Sequence, residues 1–139
     1  MLYMYEQILV PTDGSANAAT AMEHAIGIAA GSGASIHVIN VINPRWYDMS
    51  IDSARTPVEK DRRKYIDELV EMADEAEVET ETAVLDGTPA QAILDYAADQ
   101  DIDLIVIGKR GRGNLENLLL GSVADYVVKH APVPVHTVP

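Results

Sequence analysis

The sequence predicts an α/β fold, a three-layer α/β/α sandwich whose five-stranded sheet is mostly parallel. Three observations lead there. Short apolar runs alternate with longer amphipathic or alanine-rich stretches through all 139 residues, the order expected of repeated strand-helix-strand units. One run, Leu104-Ile105-Val106-Ile107, is wholly apolar, as befits a strand covered on both faces. The chain is 47% hydrophobic, enough for one continuous core, and its length leads us to expect a single domain over residues 1–139.

The elements follow in order. Gln7-Ile8-Leu9-Val10 is a first strand ended by Pro11, and Thr12-Asp13-Gly14-Ser15 brings turn and N-cap chemistry before an alanine-rich helix to about residue 30. Gly31-Ser32-Gly33 should stop that helix, and residues 35–42, rich in Ile and Val, form the second strand. Residues 43–57 carry two prolines and no periodicity, so a long connection is expected there. From Val58 to about residue 76, apolar residues recur at three- and four-residue intervals, which predicts an amphipathic helix. Residues 78–85 place Glu79 and Glu81 on one side of an edge strand, where acids discourage further pairing. Thr88-Pro89-Ala90-Gln91 has the pattern of a capping box with proline at the first helical position, so a helix to about residue 100 is expected. The apolar strand at 104–107 leads into a glycine-rich loop, and 123–130 form a last helix. Pro132 and Pro134 then precede an edge strand at 135–138, where proline is tolerated.

Composition excludes several functions. Without cysteine there is neither a disulfide nor a thiolate metal site. The 22 Asp and Glu against 10 Lys and Arg, a net charge of −12, would repel nucleic acid and anionic membranes. No stretch approaches the roughly 20 apolar residues of a membrane span, and no signal core opens the chain, so a cytoplasmic protein is expected. An acidic skin also suits salt-rich surroundings, although an ordinary acidic soluble protein has the same numbers.

Against that acidity, Lys109, Arg110 and Arg112 gather in one loop, threaded with Gly108, Gly111 and Gly113 and closing on Gly121-Ser122 at a helix start. Missing Cβ atoms, aimed peptide dipoles and guanidinium groups together make a phosphate site. If the first and fourth strands are neighbours, giving the order 3-2-1-4-5, the loops at 11–15 and 108–114 share one crevice at the strands' carboxyl ends. Asp13 would repel a triphosphate and is better placed at ribose hydroxyls or an adenine amino group; alternatively it only caps the first helix. Arg110 and Arg112 would meet phosphates, or else decorate a solvated loop. The Val41 side chain belongs to the core, but its main chain could pair with a purine edge. Ser122 could serve as an N-cap, as a ligand group, or as both.

The spacing Gly108-x-x-Gly111, nine residues, Gly121-Ser122 resembles the nucleotide signature of the universal stress protein family. So do Pro11-Thr12-Asp13 after the first strand, Asp86-Gly87-Thr88-Pro89-Ala90 before the third helix, and the Pro-Val-Pro-Val ending at 132–135. The resemblance implies a flavodoxin-like topology with strand order 3-2-1-4-5, and ATP or AMP bound with or without Mg2+ or Mn2+ held through the phosphates. It also implies a homodimer paired through residues 133–138. Carried over by position, Pro11, Thr12 and Asp13 line the adenosine side and the Val41 backbone meets adenine. Ile107, Gly108, Arg110, Gly111, Arg112, Gly113 and Asn114 surround the ribose and phosphates, while Gly121, Ser122 and Val123 hold phosphate. Ser122 is the one protein group placed to touch a metal.

Two functions compete on these residues: a regulatory module read by its nucleotide occupancy, and a slow ATPase or phosphotransferase. Phosphoryl transfer needs an aligned nucleophile and charge-neutralising cations, and the four histidines, at 24, 37, 130 and 136, are scattered along the chain. A phospho-acceptor receiver domain would want an acidic cluster at the first strand, where Asp13 stands by itself.

Overall fold

The computed structural model describes residues 4–46, 52–110 and 120–139. Its strands are β1 (Gln7–Pro11), β2 (Ser35–Ile42), β3 (Thr80–Asp86), β4 (Leu104–Gly108) and β5 (Val135–Val138). They alternate with helices α1 (Ala16–Ser32), α2 (Asp52–Glu75), α3 (Pro89–Asp99) and α4 (Ser122–His130). The sheet is parallel, in the order β3-β2-β1-β4-β5, as expected from the sequence.

Alternation along the strands divides the core into two layers. Ile8, Val10, Ile36, Val38, Leu104 and Val106 face α1 and α2. Leu9, Ile39, Ile105 and Ile107 face α3 and α4. The face of α1 that meets the sheet is Ala18, Ala21, Met22, Ala25 and Ala29, mostly small side chains that let the helix lie close to the strands. The approach is close at Gly108, where a Cβ would stand 2.7 Å from Asn17 Cβ and 3.0 Å from its backbone.

Several boundaries differ from expectation. Within the expected stop at Gly31-Ser32-Gly33 it is the last residue that ends α1: the helix runs on to Ser32, and Gly33, with a left-handed φ of 75°, lets its N–H reach Ala29 O. Residues 43–57 are not one long connection. A 3-10 turn occupies Pro44–Trp46, and α2 begins at Asp52 with Pro57 inside it, so the missing proline N–H deletes a single backbone bond near the start of a 24-residue helix. Strand β3 starts at Thr80 rather than 78, because the chain first turns through Glu77 at φ 58°. The Val78 N–H returns to Ala73 O and the Glu77 N–H to Asp74 O, a Schellman closure made without glycine. The capping box at 88–91 does not form: Thr88 makes no side-chain cap, and Gln91 donates instead to Asp95 Oδ1.

Candidate functional site

The strand order reverses at β1, whose neighbours β2 and β4 lead to opposite edges of the sheet. A crevice opens outside the carboxyl ends of strands at such a point, here beyond Pro11 and Gly108. Pairing of β1 with β2 ends at Pro11 and Ile39, with one last bond from Thr12 N–H to Ile39 O. The Ile36 N–H and Ile42 O serve the β3 side of β2, whereas Ile39 O serves β1. By the same alternation the N–H and C=O of Val41 point to the β1 side, past the last β1 pair. Its side chain is half-buried against the α3 and α4 layer.

The wall formed by residues 11–15 is held by its own side chains. Thr12 is buried, and its Oγ1 accepts from the Gly14 N–H at 3.1 Å. Asp13 Oδ1 accepts from the Ser15 N–H at 2.9 Å, and Ser15 Oγ caps α1 by accepting from the Ala18 N–H at 3.3 Å. Thus Ser15, not Asp13, is the N-cap of α1. Two neighbours that the sequence reading missed complete this wall. Asn40, 2% exposed on β2, donates its Nδ2 to Thr12 O at 2.7 Å, while its buried Oδ1 has no hydrogen-bond partner. A polar residue inside an apolar strand was the signal that could have found it. Tyr65 on α2 lays its ring over Gly14, so that a Cβ there would sit 2.6 Å from the ring, and Arg62 stacks over the same ring at 5.6 Å.

The opposite wall is built differently. Past β4, Lys109 gives its N–H to Val138 O at 2.6 Å and its carbonyl to the Gly121 N–H at 2.7 Å. This pair brings the start of α4 directly beside the end of β4. The N-cap of α4 is Gly121, with no side-chain cap, and Ser122 is the first helical residue rather than the cap. Donors in the first helical turn lack intrahelical acceptors, and a glycine cap supplies no side-chain oxygen to them, so Gly121 does not offset the positive end of α4. Lys109 and Arg110 are half-buried on this side, and Val123 is half-buried against the α3 and α4 layer. The Ile107 side chain is buried in that layer, and because Ile105 and Lys109 on either side of it give their N–H groups to β5, its main chain faces β5 as well. Gly111, Arg112, Gly113 and Asn114 lie outside the described residues.

The other end of the sheet carries polar groups of another kind. His37 on β2 is 1% exposed. Its Nδ1 lies 2.7 Å from Tyr96 OH, and its Nε2 lies 2.7 Å from Gln7 Oε1 and 3.2 Å from Glu81 Oε2. Nε2 faces two acceptors and so carries the proton, leaving Nδ1 to accept from the tyrosine. Burial holds the His37 pKa below its ordinary 6.5, opposed in part by Glu81; burial and then the same carboxylate raise that of Tyr96. An open depression of about 530 Å3 nearby is lined by Asp74, Glu77, Glu79 and Glu81, the wrong charge for an anion. Among the described residues no three His, Asp or Glu cluster to hold a metal, and no helix is long and apolar enough to cross a membrane.

A profile of the universal stress protein family matches residues 4–139. The chain belongs to that family. Universal stress protein MJ0531 of Methanocaldococcus jannaschii is 34% identical over 95% of this chain and 81% of its own length. Universal stress protein YxiE of Bacillus subtilis is 31% identical over 95% and 97%. Among solved structures, hypothetical protein MJ0577 superposes with a TM-score of 0.88 at 26% identity, covering 98% of this chain and 96% of that one. A universal stress protein in complex with cAMP superposes at 0.81 with 28% identity, covering 99% of each chain. These likenesses establish the family and the α/β fold with its 3-2-1-4-5 sheet.

Proposed function

We propose that this chain binds an adenine nucleotide, ATP or AMP, in the crevice between the β1 and β4 loops, and that occupancy acts as a regulatory switch. The observation that carries the reading is the start of α4: a helix N-terminus with a glycine cap, fixed beside Lys109 and opposite a carboxylate-bearing turn. An anion is favoured at one wall and hydroxyl or amino donors at the other, the polarity of a mononucleotide. The complex of a related universal stress protein with cAMP supports the adenylate class.

In this reading Pro11, Thr12 and Asp13 line the nucleoside end, and the Val41 main chain meets the purine edge. Ile107 leads into the turn, and main-chain groups from Gly108 onward, with Arg110 and, beyond it, Gly111, Arg112, Gly113 and Asn114, follow the ribose and phosphates. Gly121, Ser122 and Val123 receive the phosphate tail. A Mg2+ or Mn2+ ion arriving with the nucleotide would sit on the phosphates with Ser122 the nearest protein hydroxyl, neutralising their charge. Strand β5 closes one edge of the sheet, and the pairing of two such edges, over residues 133–138, is the proposed route to a homodimer. The proposed setting is cytoplasmic.

Calorimetric titration of nucleotide-free protein should show saturable ATP and AMP binding in the micromolar range. In Gly121→Asp, a carboxylate at the helix start should weaken it by roughly 10- to 100-fold, about 1.4–2.8 kcal/mol. Unchanged affinity in that variant would reject the assigned phosphate end. Fast metal-dependent ADP release, lost in the same variant, would replace the switch with a phosphotransferase.

A further inference from the structure

Two of the four histidines that the sequence scatters meet on the surface. His24, on the middle of α1, and His136, on β5, are 112 positions apart, yet their Nδ1 and Nε2 atoms stand 3.2 Å from each other. The rings are tilted by 51° with centroids 5.2 Å apart, so they meet through nitrogens rather than through stacked faces. Both side chains are exposed. The backbones beneath them are fixed: Ala21, Met22 and Ala25 flank His24 with no exposure, and Val138, two residues beyond His136, is 1% exposed.

We propose that His24 and His136 form a two-histidine site for a divalent cation of the zinc type. Two zinc-nitrogen bonds of about 2.0–2.1 Å at a tetrahedral angle place their nitrogens ~3.3 Å apart, close to the separation already present. Imidazole nitrogen is a ligand that zinc favours. Without a metal, the facing nitrogens can share one proton only, if one donates and the other accepts. With zinc, both lone pairs are used, and water fills the remaining positions because no third His, Asp or Glu joins a cluster among the described residues. A chain of net charge −12 also concentrates cations at its surface. The ion would tie α1 to the four-residue edge strand β5, on the face of the sheet that α1 covers, and it requires no nucleotide.

The test uses untagged, nucleotide-free protein treated with chelator and then titrated with zinc chloride in a calorimeter, with the melting temperature followed in parallel. One saturable site per chain and a rise in melting temperature reversed by EDTA are expected. His24→Gln and His136→Gln should each weaken binding by at least the roughly 10- to 100-fold that loss of an outer-shell partner costs a metal site, and abolish the thermal shift. Both positions are exposed, so circular dichroism of the variants should match wild type. His130→Gln, on α4 with its ring stacked on Tyr126, should bind as wild type does. Absence of a zinc response in the wild-type chain, or equal affinity in all three variants, would overturn the site.

Discussion

Two helices begin on the same crevice, and their starts are capped differently. At the start of α1 the protein's own side chains take up donors: Ser15 Oγ takes the Ala18 N–H in the first turn, and ahead of the helix Asp13 takes the Ser15 N–H and Thr12 the Gly14 N–H. The first turn of α4 has glycine at its cap and no side-chain cap hydrogen bond, and its acidic residue, Asp125, pairs with Lys129. A helix N-terminus attracts anions only while its donors are open. In the proposed binding mode the α1 start, partly closed by Ser15 and Asp13, is therefore the positioning wall, and the α4 start is the anion seat. The start of α3, at the far edge beside β3, lacks a side-chain cap as well, but Pro89 removes one of its donors, and no cationic residue is among those that follow β3 there.

The largest effect tests whether the α1 wall is rigid. Gly14 has φ 82°, and a Cβ there would stand 2.6 Å from the Tyr65 ring. An Ala at 14 meets left-handed strain of roughly 1–2 kcal/mol and overpacking of roughly 1–3 kcal/mol. Gly14→Ala should accordingly lower unfolding stability by about 2–5 kcal/mol, read as a drop in the urea midpoint. A loss below about half a kcal/mol, the range of ordinary surface changes, would mean that Tyr65 swings away and that the wall is soft.

Next come two variants that pull stability and affinity apart. Gly121 has φ −63° and ψ 158°, a conformation open to any cap residue, so Gly121→Asp should stabilise α4 by a few tenths of a kcal/mol while its nucleotide affinity falls as described above. Ser15→Ala should do the reverse. Loss of the α1 cap costs about 1 kcal/mol, and affinity should change by less than about threefold, since that donor is not offered to ligand. If Ser15→Ala weakened nucleotide binding more than Gly121→Asp, the two walls would have been assigned the wrong way round.

How much of this was legible depended on which residues carried each feature. The strands announced themselves because Leu104-Ile105-Val106-Ile107 and the 35–42 run have no other use for so many apolar side chains. The loops at 11–15 and 108–122 stood out because glycine and cationic residues punctuate an acidic chain. Helix ends closed by left-handed residues other than glycine were opaque: Glu77 at φ 58° and Asp101 at φ 53° carry no local signature, which is why 78 was read as strand. Pro57 misled in the other direction, since a proline near a helix start reads as a boundary although only one bond is lost. Asn40 and Tyr65 were missed for a different reason. Their roles arise from contacts across the sheet and between layers, to Thr12 and Gly14, and no spacing along the chain encodes such contacts.

The smallest effect separates crevice chemistry from fold stability. Burial depresses the His37 pKa in the folded chain while Glu81 opposes it, so the net change is modest. On acidification from neutrality through the ordinary value of 6.5, unfolded chains take up a proton that folded chains decline, and stability falls until the folded value is passed. His37→Gln removes this proton site. Urea midpoints from pH 8 to pH 5.5 should therefore fall more steeply for wild type than for the variant. Parallel slopes would show that the proton enters the His37, Gln7, Glu81 and Tyr96 cluster without penalty. His37 lies at the amino ends of the strands, away from both helix starts, so His37→Gln should leave nucleotide affinity at neutral pH as it was. Any loss of affinity that accompanies the steeper wild-type slope is then unfolding, and any loss in Gly121→Asp without a loss of stability is electrostatic.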